Sequence, residues 1–306
     1  MKHNTKITII LLAMFILTQL IGLGVINFYL SPNQVIPYGF NQSKNIEPIS
    51  FLIQLVISFI IAIALILLLM RIKSNIFMKL WFFVVVIFAL AISLNAIAIS
   101  WGIAPSSAVW VGFILGLVLA YFKIYKRNIF VHNFTELLIY PGVATLFVVM
   151  LTLPVIIVIL LLISVYDMWA VWKSKLMVKM AKYQINNLGI FGGFMIPYAD
   201  KKTKSKIKLL KIKYKNSIPD KIIRKSKLKI HMAILGGGDI VFSLIAAGVF
   251  FRTYQSLAGT LIVTLFTILA LLGLFIFGKK QKSYPAMPYL TTGILIGMII
   301  SRILVH

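Results

Sequence analysis

Residues 160–172 read "LLLISVYDMWAVW", and the aspartate inside this stretch decides how the chain is to be read. Asp167 lies near the end of an apolar run that begins at about Tyr140, a few residues before a basic segment that starts at Lys173. One carboxylate buried in hydrocarbon costs about 2.5–3.5 kcal/mol on insertion scales, and more in other estimates. Something elsewhere in the sequence has to compensate it.

The composition says what kind of interior Asp167 is buried in. Of 306 residues, 61% are hydrophobic, and the mean hydropathy is +1.01. Soluble domains average about 45–50% apolar residues. The excess falls in long runs, which predicts an all-α polytopic membrane protein, multi-pass in the cell membrane. With no cysteine, disulfides, thiolate metal sites and cysteine nucleophiles are excluded. Lysine and arginine number 31 against 6 acids, for a formal charge of +25.

A spanning helix needs about 20 mostly apolar residues. Nine runs qualify, at roughly 7–30, 49–70, 80–100, 105–122, 134–151, 154–172, 232–251, 256–278 and 285–304. The fifth and sixth read either as one long tilted helix or as two helices joined by a tight turn. Pro154 favours two, because proline breaks a helix. Basic residues also favour two. With nine spans, the alternate connecting segments that include the N-terminus hold 28 of the 31 basic residues, and the others, counting Arg302 with the C-terminal end, hold 3. By the positive-inside rule the N-terminus is cytoplasmic and the C-terminus outside. The first run is too long for a signal peptide and no small-residue cleavage pattern follows it, so it reads as a retained helix.

Three parts follow: six helices over 1–172, a basic cytoplasmic loop over 173–231, and three helices over 232–306. The loop carries 17 basic residues and two acids, Asp200 and Asp220. Such a charge at a membrane face reads as attraction to anionic lipid headgroups rather than to nucleic acid. Within it, 206–215 ("KIKLLKIKYK") nearly alternates apolar and basic residues. That pattern fits a weak strand whose edge could pair with an extended peptide, or, preferably, a surface-lying segment.

Among the six acids, Glu47, Asp200 and Asp220 fall in loops and Glu136 near the start of the fifth run, leaving Asp167 and Asp239 inside spans. Asp167 lies six residues before Lys173, ~9 Å from that end at helical rise. Asp239 lies eight residues after His231, ~12 Å deep by the same measure. Helices flanking one loop are commonly neighbours, so the two carboxylates can face one another. "LGGGDIV" puts Gly236, Gly237 and Gly238 directly before Asp239. Three glycines together indicate close backbone approach, a loosened helix, or both. At the same face, "KSYPAMPYL" (282–290) carries Pro285 and Pro288, which leave backbone donors and acceptors unused by a regular helix.

Two carboxylates in one site cannot both ionise easily, so the pair holds a single proton near neutrality. The ionised member can take a proton from water while the protonated one polarises a peptide carbonyl. That is aspartic peptide hydrolysis, and it needs no metal or cofactor. The histidines, His3, His132, His231 and His306, form no H-E-x-x-H motif, and none lies clearly within a predicted span. The GxxxG spacings at Gly112/Gly116 and Gly293/Gly297 read as packing features.

Tyr166-Asp167, Gly236-Gly237-Gly238-Asp239 and Pro285-Ala286-Met287 resemble the YD, GxGD and PAL motifs of the presenilin and signal peptide peptidase family, in the same order and layout. The resemblance implies that Asp167 and Asp239 are the catalytic aspartates. It implies that Tyr166 and the three glycines shape the site, and that Pro285, Ala286 and Met287 position substrate. Met287 departs from the usual leucine but keeps its size and apolarity. Read with the charge bias, the resemblance favours an archaeal-type presenilin homologue cutting single-span helices whose N-terminus is outside. A prepilin-type peptidase shares a GxGD element but places its other aspartate differently. The alternative is an ion- or proton-coupled transporter using the same two acids. It would predict matched halves with broken helices, whereas both acids here flank one loop.

Overall fold

Inside a bilayer no water is available for backbone N–H and C=O groups, so an apolar run satisfies them within itself, as a helix. The computed structural model describes residues 5–40, 48–72, 74–126, 128–173, 183–184, 189–199, 203, 230–278 and 284–305. Among these, each of the nine apolar runs contains one helix: α1 (Thr5–Leu30), α2 (Pro48–Ile72), α3 (Asn75–Ser100), α4 (Pro105–Tyr125), α5 (Ile129–Val148), α6 (Leu153–Trp172), α7 (Gly237–Tyr254), α8 (Leu257–Phe277) and α9 (Met287–Val305). Six of them, α1, α3, α4, α6, α8 and α9, are long and apolar enough among the described residues to cross a membrane.

α5 and α6 are two helices. α5 ends at Val148, and α6 begins at Leu153 with Pro154 in its first turn, where proline costs no hydrogen bond. The turn between them is held from outside. Arg252, near the end of α7, donates to the carbonyls of Val148, Val149 and Leu151 at 2.8, 2.6 and 2.8 Å. These are carbonyls that a helix terminus cannot satisfy by itself.

Small residues set the tightest helix pairs. A Cβ at Gly112 would sit 2.8 Å from the Ala91 carbonyl oxygen, and one at Gly297 would sit 2.8 Å from Val263 Cα. The GxxxG spacings thus pack α4 on α3 and α9 on α8. The main core gathers α1, α5, α6, α7 and α9 around Leu11, Phe15, Ile156, Leu160, Leu244 and Leu290.

Two strands interrupt the helical architecture, where the sequence predicts none at these positions. β1 (Gly193–Ala199) pairs antiparallel with β2 (Ile230–Gly236), Gly193 opposite Gly236 and Ala199 opposite Ile230. The seventh helix, expected from 232, therefore begins at Gly237. The reason lies in the side-chain period. Ala233 and Leu235 are buried while Met232 and Ile234 are exposed, the alternation of a half-buried strand. An average of hydropathy over a window is blind to that alternation. Gly193 (φ +143°) is required at the join, since a Cβ there would come within 2.4 Å of the Leu235 carbonyl oxygen. The alternating segment 206–215 lies outside the described residues.

Candidate active site

The three C-terminal motif segments are carried on α6, α7 and α9, and each of these helices packs on the other two. Asp167 lies near the end of α6 and is 6% exposed. Opposite it, α9 begins at Met287, preceded by Pro285 and Ala286, with Pro288 inside its first turn. The first N–H groups of a helix have no acceptor within it. The Met287 N–H donates instead to Asp167 Oδ2 at 3.1 Å. The burial that the sequence leaves unexplained thus has a local cause: Asp167 closes the positive end of another helix. Three residues back along α6, Ser164 Oγ meets Thr291 Oγ1 at 2.8 Å and ties the same two helices again. Pro285 and Met287 are buried and Ala286 is half-buried. Tyr166 is half-buried too, its ring tilted against Trp169 with centroids 6.2 Å apart.

Asp239 stands in the first turn of α7 and is half-buried. Its place there corrects the expectation of a continuous helix from His231. The residues before it run as a strand, so the hairpin, not helical rise from His231, sets where the carboxylate sits. The glycines mark the strand-to-helix junction. A Cβ at Gly236 would lie 3.1 Å from Asp239 Oδ2, and one at Gly237 would lie 2.9 Å from Tyr140 Oη on α5. Gly238 faces open space. Close approach therefore accounts for two of the three. Both aspartates stand at helix N-termini, Asp239 at that of its own helix and Asp167 at that of α9, where the backbone dipoles favour negative charge.

A second acid is buried besides Asp167, where the sequence reading left it at the edge of its span. α5 starts at Ile129, five residues earlier than expected, because Asn128 caps it by accepting the Phe130 N–H at 2.9 Å. That brings His132 into the helix and Glu136 away from its end, the two being 7% and 2% exposed. Glu136 is paired with Lys123 of α4 at 2.5 Å, and Lys123 also reaches His132 Nδ1 at 3.1 Å. The readable signal was the His132/Glu136 spacing of four, which puts both on one helix face.

The family model described as "Signal-peptide peptidase, presenilin aspartyl protease" matches residues 12–306. Two solved structures of a presenilin family intramembrane aspartate protease share the fold. The one in the C222 crystal form is 16% identical, covers 95% of this chain and 94% of that one, and has a TM-score of 0.57. The one in the P2 form is 17% identical, covers 96% of each, and has a TM-score of 0.60. No curated protein matches the chain. Nearly the whole chain thus falls within one class, the multi-pass aspartic proteases that work inside membranes. It belongs to the signal-peptide peptidase and presenilin aspartyl protease family and is a hydrolase of that kind.

Proposed function

We propose that the chain hydrolyses peptide bonds within single-span helices of other proteins, with Asp167 and Asp239 as its general acid and base. The observation that carries this reading is the Met287 N–H to Asp167 Oδ2 contact, which joins the Tyr166-Asp167 and Pro285-Ala286-Met287 motifs across 120 residues of sequence. A second observation supports it: Asp239 stands in the first turn of α7, just after the strand-to-helix glycines, on a helix packed against α6.

In the ionised member of the pair, a carboxylate oxygen takes a proton from water as the water oxygen attacks the scissile carbonyl carbon. The other member gives its proton to the carbonyl oxygen, leaving a tetrahedral diol. A proton then passes to the peptide nitrogen, the C–N bond breaks, and the pair again holds one proton. A helical substrate hides its carbonyls in its own hydrogen bonds, so the cut segment must be extended. β2 supports that step. Met195 spends its N–H and C=O on Asn133 of α5 and so faces away from β2. Its partner Ile234 then faces away from β1 in the antiparallel register. The outer edge of β2, leading to Asp239, can take an added strand. Tyr166 and Gly236–Gly238 shape this site, and Pro285, Ala286 and Met287 position the chain being cut.

In this reading all nine helices are spans, with the N-terminus cytoplasmic, the C-terminus outside and the protein in the cell membrane. The chain divides into 1–172, 173–231 and 232–306, and the basic charge of the middle part draws it to anionic lipids. The test uses purified protein in lipid with a panel of single-span reporter helices, the fragments being weighed for wild type, Asp167→Asn and Asp239→Asn. Cuts inside the reporter span that vanish in both variants support the reading. Unchanged cutting in either one would overturn the two-aspartate mechanism.

A further inference from the structure

The buried cluster on α4 and α5 is not needed for the chemistry above, yet it touches the hairpin that leads to Asp239. Lys123 offers only donors, and a backbone carbonyl only accepts. His132 Nδ1 lies 3.1 Å from Lys123 Nζ and its Nε2 lies 2.8 Å from the Gly193 carbonyl oxygen. Both contacts hold only if Nδ1 accepts and Nε2 carries the proton, so His132 is a neutral imidazole fixed in one tautomer. Glu136, bound to the same Lys123 and 3.7 Å from His132 Nε2, balances the lysine charge.

The next residue extends the attachment. Asn133 donates to the Met195 carbonyl at 2.9 Å and accepts its N–H at 3.0 Å, so consecutive α5 side chains hold the outer edge of β1 as a further strand would. Packing alone does not lock this end. A cavity of about 180 Å³ lies beside it, lined by Lys123, Asn128, Ile129, His132, Phe191 and Met195. The join is also where register matters most, because Gly193 pairs with Gly236, three residues before Asp239.

We infer that His132, fixed by Lys123 and Glu136, is a positioning residue for proteolysis: it sets the β1–β2 hairpin on α5 and thereby the Gly236–Asp239 segment. The inference rests on the peptidase reading, and its test separates the two. Full-length protein in lipid is compared as wild type, His132→Ala and His132→Gln. A glutamine amide can donate to Gly193 and accept from Lys123, so it replaces both contacts. Two readouts are taken: amide hydrogen exchange over 193–199 and 232–236, which needs no turnover, and the rate and position of cuts in a reporter helix.

His132→Ala is expected to speed hairpin exchange about tenfold. It is expected to lower kcat about ten- to a hundredfold with KM little changed, and to spread the cuts over neighbouring bonds. His132→Gln restores exchange, rate and cut position together. If His132→Ala does not fold, Asn133→Ala, which removes the adjacent attachment, gives the same pattern. Unchanged hairpin exchange would overturn the anchor. Faster exchange with unchanged kcat and cut positions would make the cluster structural only. A wild type that cuts no reporter would sink the peptidase reading and the catalytic half of this inference, while the exchange data would still decide the anchor.

Discussion

Glu136 and Asp167 are almost equally buried, at 2% and 6% exposure, but they keep different company. Glu136 lies against the Lys123 ammonium with His132 beside it. Asp167 meets a backbone N–H, and the ion pairs formed among the described residues do not include it. An acid matched by a cation has its charge neutralised by that partner. An acid held by the N-terminus of a helix is oriented with no opposing side-chain charge. Burial alone does not set the two acids apart; the kind of partner does.

Substitution should separate the two acids sharply. Asp167→Asn or Asp239→Asn keeps the shape and removes the acid, and each should lower reporter cleavage by about 10³–10⁴-fold with little change in thermal unfolding. A loss of stability without loss of rate would erase the distinction. Lys123→Met should do the opposite. It strands Glu136 as an unpaired buried charge, at a cost of about 3–5 kcal/mol in unfolding measurements, and adding Glu136→Leu should recover most of it. No recovery in the double variant would show that the pair is not what holds α4 to α5.

Smaller effects test the surroundings of each acid. Gly193→Ala forces a Cβ against the Leu235 carbonyl at a positive φ and should cost about 1–3 kcal/mol, with faster amide exchange in the hairpin. An unaltered hairpin would contradict the register. Ser164→Ala, which removes the hydroxyl link between α6 and α9 near Asp167, should cost only about 1 kcal/mol in thermal unfolding. A cost as large as that of Lys123→Met would place the main load on the Asp167 side instead.

The helices were legible because their signal is long and apolar, and Pro154 marked the break between α5 and α6. β2 was not, because its alternation of exposed and buried residues over Met232 to Leu235 has exposed positions that are themselves apolar, so it looks like the start of a helix. That misreading measured the position of Asp239 along a helix where the chain runs as a strand. His132 was left outside the fifth helix, and Glu136 at its edge, because that helix was started at 134, past its Asn128 cap; read as an N-cap, Asn128 would have brought His132 inside and set Glu136 two turns in. The contact of Asp167 with Met287 spans 120 residues and has no local signature. The loop between the spans and the shared membrane face had put those segments near one another, and the resemblance of the three motifs to a known family joined them in one site.

The central claim is that Asp167 and Asp239 act as one unit, and single-turnover cleavage of one reporter helix by wild type, Asp167→Asn, Asp239→Asn and the double variant tests it most directly. Residues that work as a unit are strongly non-additive. The account predicts that the double variant is no slower than either single one, with the same residual rate and no surviving cut inside the span. Losses that multiply in the double variant, or substantial cleavage by either single variant, would contradict it.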